Sequence, residues 1–313
     1  MGWILRGSRI ENLKCASSPL RLSGFEFVKP LLVCDTNTQK DYSDLKILET
    51  KLKNIINTKK EIDDKIIASV YFQDFKTDGR IDVNENEKFN SASIGKVAIM
   101  IAFYRLAESD PYLLAKQIKY TGGIDTNSKQ AIQSKNYIVT GETYTVEELI
   151  QRMIRYSDNN AMYLLVSLLN ASTIKSLYED LQISIPFDIE HPENFDFITT
   201  RDISYFFRIL YNSTYLMNDF SERALQFLSE TDYNDGLVAG VPKNIIISHK
   251  YGSRSIEQGN NIIEIQFHDC GIVYHPRNPY LLCVMTKNFT DIPSAENLIK
   301  EISTAVYQYQ DSR

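Results

Sequence analysis

The chain has 313 residues, of which 43% are hydrophobic and 24% charged, a balance that excludes wholesale disorder and a fibrous repeat. Lys and Arg number 34 against 40 Asp and Glu, a net charge of -6, which excludes a uniformly basic nucleic-acid binder. With only 4 His and 4 Cys, catalysis resting on a large metal cluster is disfavoured.

Residues 1–30 carry Arg6, Arg9, Lys14, Arg21 and Lys29 against Glu11 and Glu26 with little periodicity. They read as a solvated tether or extended arm. Leu45, Leu48, Leu52, Ile55 and Ile56 predict an amphipathic helix over 44–57, capped by Ser43. Residues 66–75 are β-branched and aromatic and predict a strand; Thr77-Asp78-Gly79 turns the chain into a short second one. From Ser93 to about Ala107 the sequence is nearly continuously apolar, which predicts a buried helix. Thr145 and Glu148 form a capping box ahead of a helix to about Tyr156, and another follows Asn159. Residues 184–198 are irregular, and Thr200 opens the next helix. Residues 245–250, 264–275 and 280–287 read as strands and 293–308 as a closing helix. No window approaches 18 apolar residues, so no membrane span is expected. Two or three strands alone are marginal, so the strands at both ends of the chain must share one sheet. The helical middle then forms a second lobe.

Cys15, Cys34, Cys270 and Cys283 form no CxxC pair. A turn at Pro276–Pro279 would set Cys270 and Cys283 diagonally across two strands, so free buried thiols are expected. His191, His249, His268 and His275 lack ligand spacing, and His249 and His268 read as structural. No metal or cofactor is expected.

Three short motifs carry chemistry. Ser93-Ile94-Gly95-Lys96 opens the buried helix and puts a lysine one turn from a serine. In a dry site that lysine loses its proton more easily and can act as a base on the hydroxyl. The same pattern at Ser43/Lys46 and Ser172/Lys175 reads as surface pairs. Ser157-Asp158-Asn159 sits between two helices, where the serine could relay a proton and the asparagine could hold a carbonyl; an ordinary helix junction is the plain alternative. Lys250-Tyr251-Gly252-Ser253 ends a strand; its lysine can bind a carboxylate and its glycine allows close approach.

Together, in the order S-x-x-K, S-D-N, K-x-G and 64 and 93 residues apart, these motifs resemble the penicillin-recognising serine enzymes, specifically the class A β-lactamase-like branch. The flanks Tyr144–Ile150, Ala239-Gly240-Val241-Pro242 and Asp269–Tyr274 are similar as well. The resemblance covers about 40–310. It implies an α/β (α+β) fold of the β-lactamase/transpeptidase type, with an antiparallel sheet of about five strands flanked by helices plus an all-helical lobe. Residues 1–40 are then the arm and 41–313 the catalytic domain, its sheet lobe from about 41–90 and 240–313 and its helical lobe from about 91–239.

By this resemblance Ser93 is the nucleophile, Lys96 a base, and Ser157 the proton donor to the leaving nitrogen. Asn159 orients the acylamide, Lys250 pairs with the substrate carboxylate, and the backbone N–H groups of Ser93 and Ser253 form the oxyanion hole. There are two departures. Tyr251, a substrate-binding candidate together with Asn159, Lys250, Gly252 and Ser253, stands where the family usually has Thr or Ser; its bulky phenol weakens the expectation of carboxylate recognition and β-lactam affinity, and Ser253 would take over the contact. The segment Pro186–Phe195 is short for the family's deacylation loop, and Glu190 and Glu193 are its only candidate deacylation acids. Slow deacylation is therefore expected. The implied partner is a small-molecule β-lactam or a D-Ala-D-Ala peptide, with no nucleic acid. The resemblance also implies a monomer in an extracytoplasmic location, periplasmic or at the cell surface. A membrane tether upstream of the basic arm is part of that expectation. D-alanyl-D-alanine peptidase action or a catalytically weak peptide binder are the alternatives.

Overall fold

The computed structural model describes residues 20–33, 43–184, 196–259 and 261–313. A small ribbon of β1 (Leu20–Arg21) and β2 (Leu31–Val33) precedes α1 (Ser43–Lys60), β3 (Ile67–Asp74) and β4 (Arg80–Val83). A 3-10 turn (Ala92–Gly95) leads into α2 (Lys96–Ala107). The short strands β5 (Gln117–Lys119) and β6 (Thr143–Thr145) pair ahead of α3 (Val146–Arg155) and α4 (Asn159–Val166). Then come α5 (Ala171–Asp180), α6 (Thr200–Asn212) and α7 (Asn218–Ser229). The chain closes with β7 (Ile247–Gln258), β8 (Asn261–Val273), β9 (Tyr280–Phe289) and α8 (Ile292–Asp311).

The main sheet is antiparallel with strand order β4-β3-β9-β8-β7. β3 pairs with β9, Val70 opposite Val284, so early and late strands share one sheet as expected. β3 is buried on both faces. Val70 and Phe72 meet Leu48 and Leu52 of α1 and Leu298 and Ile302 of α8 in one apolar cluster. Tyr71, between them, points the other way, into the cluster built by α2, α3, α6 and α7. Phe206 and Phe207 of α6 are fully buried there, each contributing about 1.5–3 kcal/mol of apolar burial.

The helix starts follow local chemistry. Both halves of the Thr145/Glu148 capping box are formed, and Thr199 with Asp202 forms a second that starts α6. Helices α5 and α7 and the β5–β6 pair go beyond the elements read from the sequence.

Two expectations are corrected. Part of the basic arm is packed. The Glu222 carboxylate of α7 accepts the backbone N–H groups of Glu26, Phe27 and Val28 at 2.7–3.0 Å, and Phe27 and Val28 are buried. Arg21 donates to Asn212 Oδ1 (2.7 Å) and lies over the Tyr211 ring. Second, Cys270 and Cys283 stand directly opposite each other and form a disulfide. Val273 pairs with Tyr280, so the turn centres one residue earlier than the prolines imply. A one-residue shift of a turn centre moves cross-strand pairing by two. His275 fixes that turn, its Nδ1 accepting the N–H groups of Arg277 and Asn278. Cys15 and Cys34 lie outside the described residues.

Candidate active site

Ser93 sits in the turn that leads into α2, half-buried. Ala92 before it is left-handed, with φ of 45°, a conformation that costs an L residue about 1–2 kcal/mol. The neighbouring strand holds it. Asn90 Oδ1 accepts the Ala92 N–H (2.9 Å), and the Asn90 N–H donates to Gln266 Oε1 (3.0 Å). The Asn90 carbonyl faces His268 Nε2 at 2.9 Å, while His268 Nδ1 accepts the Thr286 N–H. Nε2 therefore carries the proton and donates. Burial lowers the His268 pKa to about 4, so this support stays neutral near pH 7.

β7 presses against the same turn at Gly252. A Cβ there would lie 2.8 Å from Ser93 N and 3.0 Å from Ile94 N. Any side chain at 252 would push on the backbone N–H of the nucleophile candidate. Of the three S-x-x-K copies, only this one has its lysine inside the protein. Lys96 is buried, whereas Lys46 and Lys175 are exposed.

Ser157 occupies the corner between α3 and α4 with φ of 54° and is buried. Lys96 Nζ contacts its carbonyl oxygen (2.6 Å), its Oγ (3.1 Å) and Asn159 Oδ1 (2.6 Å). Lys250 Nζ reaches the same Oγ at 3.1 Å and the Tyr251 carbonyl at 2.9 Å. The structure thus brings Lys96, Ser157, Asn159 and Lys250 into one buried network, with Ser93 and Gly252 meeting beside it. Burial, and then the charge of Lys250, holds the Lys96 pKa well below the usual lysine range against the pull of Asp158. Burial lowers Lys250 to about 7, opposed by Asp269. A hydroxyl has two lone pairs and one proton. Neutral Lys96 spends its two N–H groups on the Ser157 carbonyl and Asn159 Oδ1, which leaves its lone pair to accept the Ser157 hydroxyl proton while Lys250 donates to the same Oγ.

Three residues that the motif reading passed over organise this network. Asp158 Oδ1 accepts the Ala161 N–H and Asn127 Nδ2, and its Oδ2 accepts the Ile138 N–H. It caps α4 and ties the 120–142 segment to the corner. Asn127 Oδ1 also accepts the Asn159 N–H at 2.7 Å. Gln266 anchors Asn90 as above. The one sequence signal was the polar Gln266 and His268 at alternate positions of an apolar strand. Asp158 read as a plain helix cap, and nothing local marks Asn127.

Tyr251 turns to the apolar cluster under α8 and is only 5% exposed. Its ring stacks on Tyr233 at 4.1 Å between centroids, and Lys250 Nζ sits 4.1 Å from its centre. Tyr233 in turn hydrogen-bonds Glu296 of α8. Burial raises the Tyr251 pKa against the opposing pull of Ser157, toward which the phenol hydroxyl is directed, so the phenol stays protonated. Ser253 follows on the strand, half-buried and paired with Phe267. Glu190 and Glu193 lie outside the described residues. An open depression of about 620 Å³ lies at the far end of α2, lined by Glu108, Leu114, Met217 and Phe220, a helix length from Ser93.

A family model described as the Beta-lactamase enzyme family matches residues 47–310. No curated protein matches the sequence. A mutant of PBP-A, solved as an acyl-enzyme complex with penicillin G, is 22% identical with a TM-score of 0.72, over 86% of this chain and 98% of that one. PBP-A itself is 21% identical with a TM-score of 0.69, over 86% and 97% of the two chains. A β-lactamase from Xanthomonas campestris pv. campestris is 18% identical with a TM-score of 0.69, covering 84% of this chain and 98% of its own. These likenesses show the shared fold, and the family match spans most of the sequence. The chain belongs to the Beta-lactamase enzyme family.

Proposed function

We propose that this class A β-lactamase-like serine hydrolase forms an acyl-enzyme on Ser93 with β-lactams or related cell-wall peptide amides and deacylates slowly. The observation that carries the reading is the buried Lys96–Ser157–Lys250 network beside Ser93. Ser93 Oγ attacks the amide carbonyl and gives up its proton to the network, with Lys96, kept neutral by burial, as the base. Ser157 passes a proton to the leaving nitrogen as the C–N bond breaks, and Lys250 supports its oxygen. The N–H groups of Ser93 and Ser253 take the developing oxyanion charge, each such donor being worth about 10²–10³ in rate. Asn159 presents its amide edge to the acyl side chain. Slow deacylation rests on the shortness of the 186–195 segment, although Glu190 and Asn194 in it do stand four residues apart as E-x-x-x-N.

The reading extends to an extracytoplasmic location, supported by the buried disulfide, since disulfides persist in oxidising compartments. It also takes the protein as a monomer. The test is intact mass over time at saturating penicillin. An adduct that persists for hours supports the slow acyl-enzyme, and one absent from Ser93→Ala supports the nucleophile. Rapid turnover of a chromogenic cephalosporin would instead make the protein an efficient β-lactamase. An adduct on Ser93→Ala would overturn the assignment.

A further inference from the structure

We propose that Asp196 is a positioning residue for the Ser93 turn, acting through the side-chain amide of Gln266. Its effect on rate rests on the acyl-enzyme reading above. Asp196 stands just before Ile198, whose bridge to Phe89 brings it to the segment that leads into the turn. Cations hold its carboxylate in place. Oδ2 accepts from Lys287 Nζ at 3.2 Å, and Arg254 Nη1 lies 3.8 Å from Oδ1. Lys287 also donates to the Lys88 carbonyl at 2.8 Å, next to Phe89.

The other oxygen of Asp196 sets the polarity of a buried amide. Asp196 Oδ1 accepts from Gln266 Nε2 at 2.8 Å, and Glu264 Oε1 accepts from the same nitrogen at 3.0 Å. An ionised carboxylate only accepts, so two of them at one end of the amide make that end the NH2 group. The opposite end must then be the oxygen, and Gln266 Oε1 accepts the Asn90 N–H at 3.0 Å. Turned the other way, the amide would set its NH2 against the Asn90 N–H and its oxygen against two carboxylates. Gln266 is only 1% exposed, so bulk water does not replace a partner lost there, and a buried mismatch is unfavourable.

From Asn90 the link to the nucleophile is short. Asn90 Oδ1 accepts the N–H of the left-handed Ala92 at 2.9 Å, and Ala92 runs directly into Ser93. A residue in such a conformation stays there only while its surroundings over-determine it. His268 holds the Asn90 carbonyl at 2.9 Å whatever Gln266 does. Asp196 governs the N–H side, by choosing which end of the Gln266 amide meets Asn90. Without that choice the turn can relax and carry the Ser93 N–H away from the place where the oxyanion develops, and small misplacements at a reacting centre are costly in rate.

The experiment follows Ser93 acylation by benzylpenicillin, read by intact mass over a range of concentrations. Asp196→Ala should slow it about tenfold, the range for one hydrogen bond to a charged group. Asp196→Ala with Glu264→Ala, which removes both carboxylates, should slow it by up to about 10². The loss is expected in the limiting rate and not in the half-saturating concentration. Asp196→Asn keeps an acceptor and should recover most of the rate. In an Asn90→Ala background the link is already cut, so Asp196→Ala should cost nothing further. Amide hydrogen exchange reads the same link without acylation: residues 90–94 should exchange faster in the double carboxylate variant, with α8 unchanged. Additive losses with Asn90→Ala overturn the proposal. So does a loss confined to half-saturation, an unchanged exchange in the folded double variant, or faster exchange with unchanged acylation. A wild type that penicillin never acylates removes the acyl-enzyme reading alone, and the exchange comparison then decides the link.

Discussion

The two faces of the central sheet are made by the same strands and are both mostly apolar, but they differ at β7. Under α1 and α8, Val70, Phe72, Leu282 and Val284 pack against Leu48, Leu52, Leu298 and Ile302. His249 and Asp269, both buried on that side, bond to each other at 2.8 Å. Toward the helical middle, β7 presents Lys250 and Gly252 to Lys96, Ser157 and the Ser93 turn. The dry face spends its burial on rigidity. The other keeps amines and hydroxyls out of water, which perturbs their protonation and makes them reactive. Substitutions that separate rate from stability can break this comparison.

The largest effect is expected at Lys96. Replacing it by alanine should slow acylation by about 10²–10⁴, the range for losing a positioned base, measured as the rate of adduct formation with penicillin. A loss under tenfold would move the base elsewhere. Next is Gly252→Ala. Its Cβ would crowd Ser93 N at 2.8 Å, and acylation should fall about 10²–10³ with the fold retained by circular dichroism. The matched change on the dry face is Gly240→Ala, whose Cβ would meet Ser303 Cβ at 2.4 Å and the Lys300 carbonyl at 2.8 Å. It should destabilise the protein by about 1–3 kcal/mol and leave the acylation rate of the folded fraction unchanged. A rate loss there would show that the faces are coupled.

The smallest and most diagnostic effect is in pH. The Lys250 pKa is lowered to about 7 from 10.5. Between those values the unfolded chain binds the extra proton. The Lys250 contribution to stability therefore rises with pH across that window, by at most about 1.4 kcal/mol per unit. Denaturant unfolding of the wild type and Lys250→Met should diverge in that sense from about pH 7 upward. Parallel curves would mean that Lys250 keeps its charge in the folded protein.

Much of the architecture was legible in the sequence because its signals are local. Thr145 and Glu148 announce α3, the leucines of residues 45–52 announce α1, and the unbroken apolar run after Ser93 announces α2. The helices α5 and α7 escaped because no capping box marks their starts: Asn170 alone caps α5, and Met217 gives α7 no side-chain cap. The cysteine pairing escaped because register depends on where a turn centres, and His275 settled that. The packed arm escaped because its partner, Glu222, is almost 200 residues away.

The sequence by itself determined the family-like order of the three motifs, the mixed fold, and a catalytic chemistry that needs neither imidazole nor thiol. Tertiary structure decided that Lys96 and Lys250 converge on one hydroxyl from elements far apart in the chain. It also decided what Tyr251 does. As a letter in a motif it was only a departure from a short hydroxyl. It is a buried ring packed against Tyr233 with its face over Lys250. Spacing along a chain fixes which residues share an element. Only packing fixes which buried charges find partners, and desolvation makes that choice decisive.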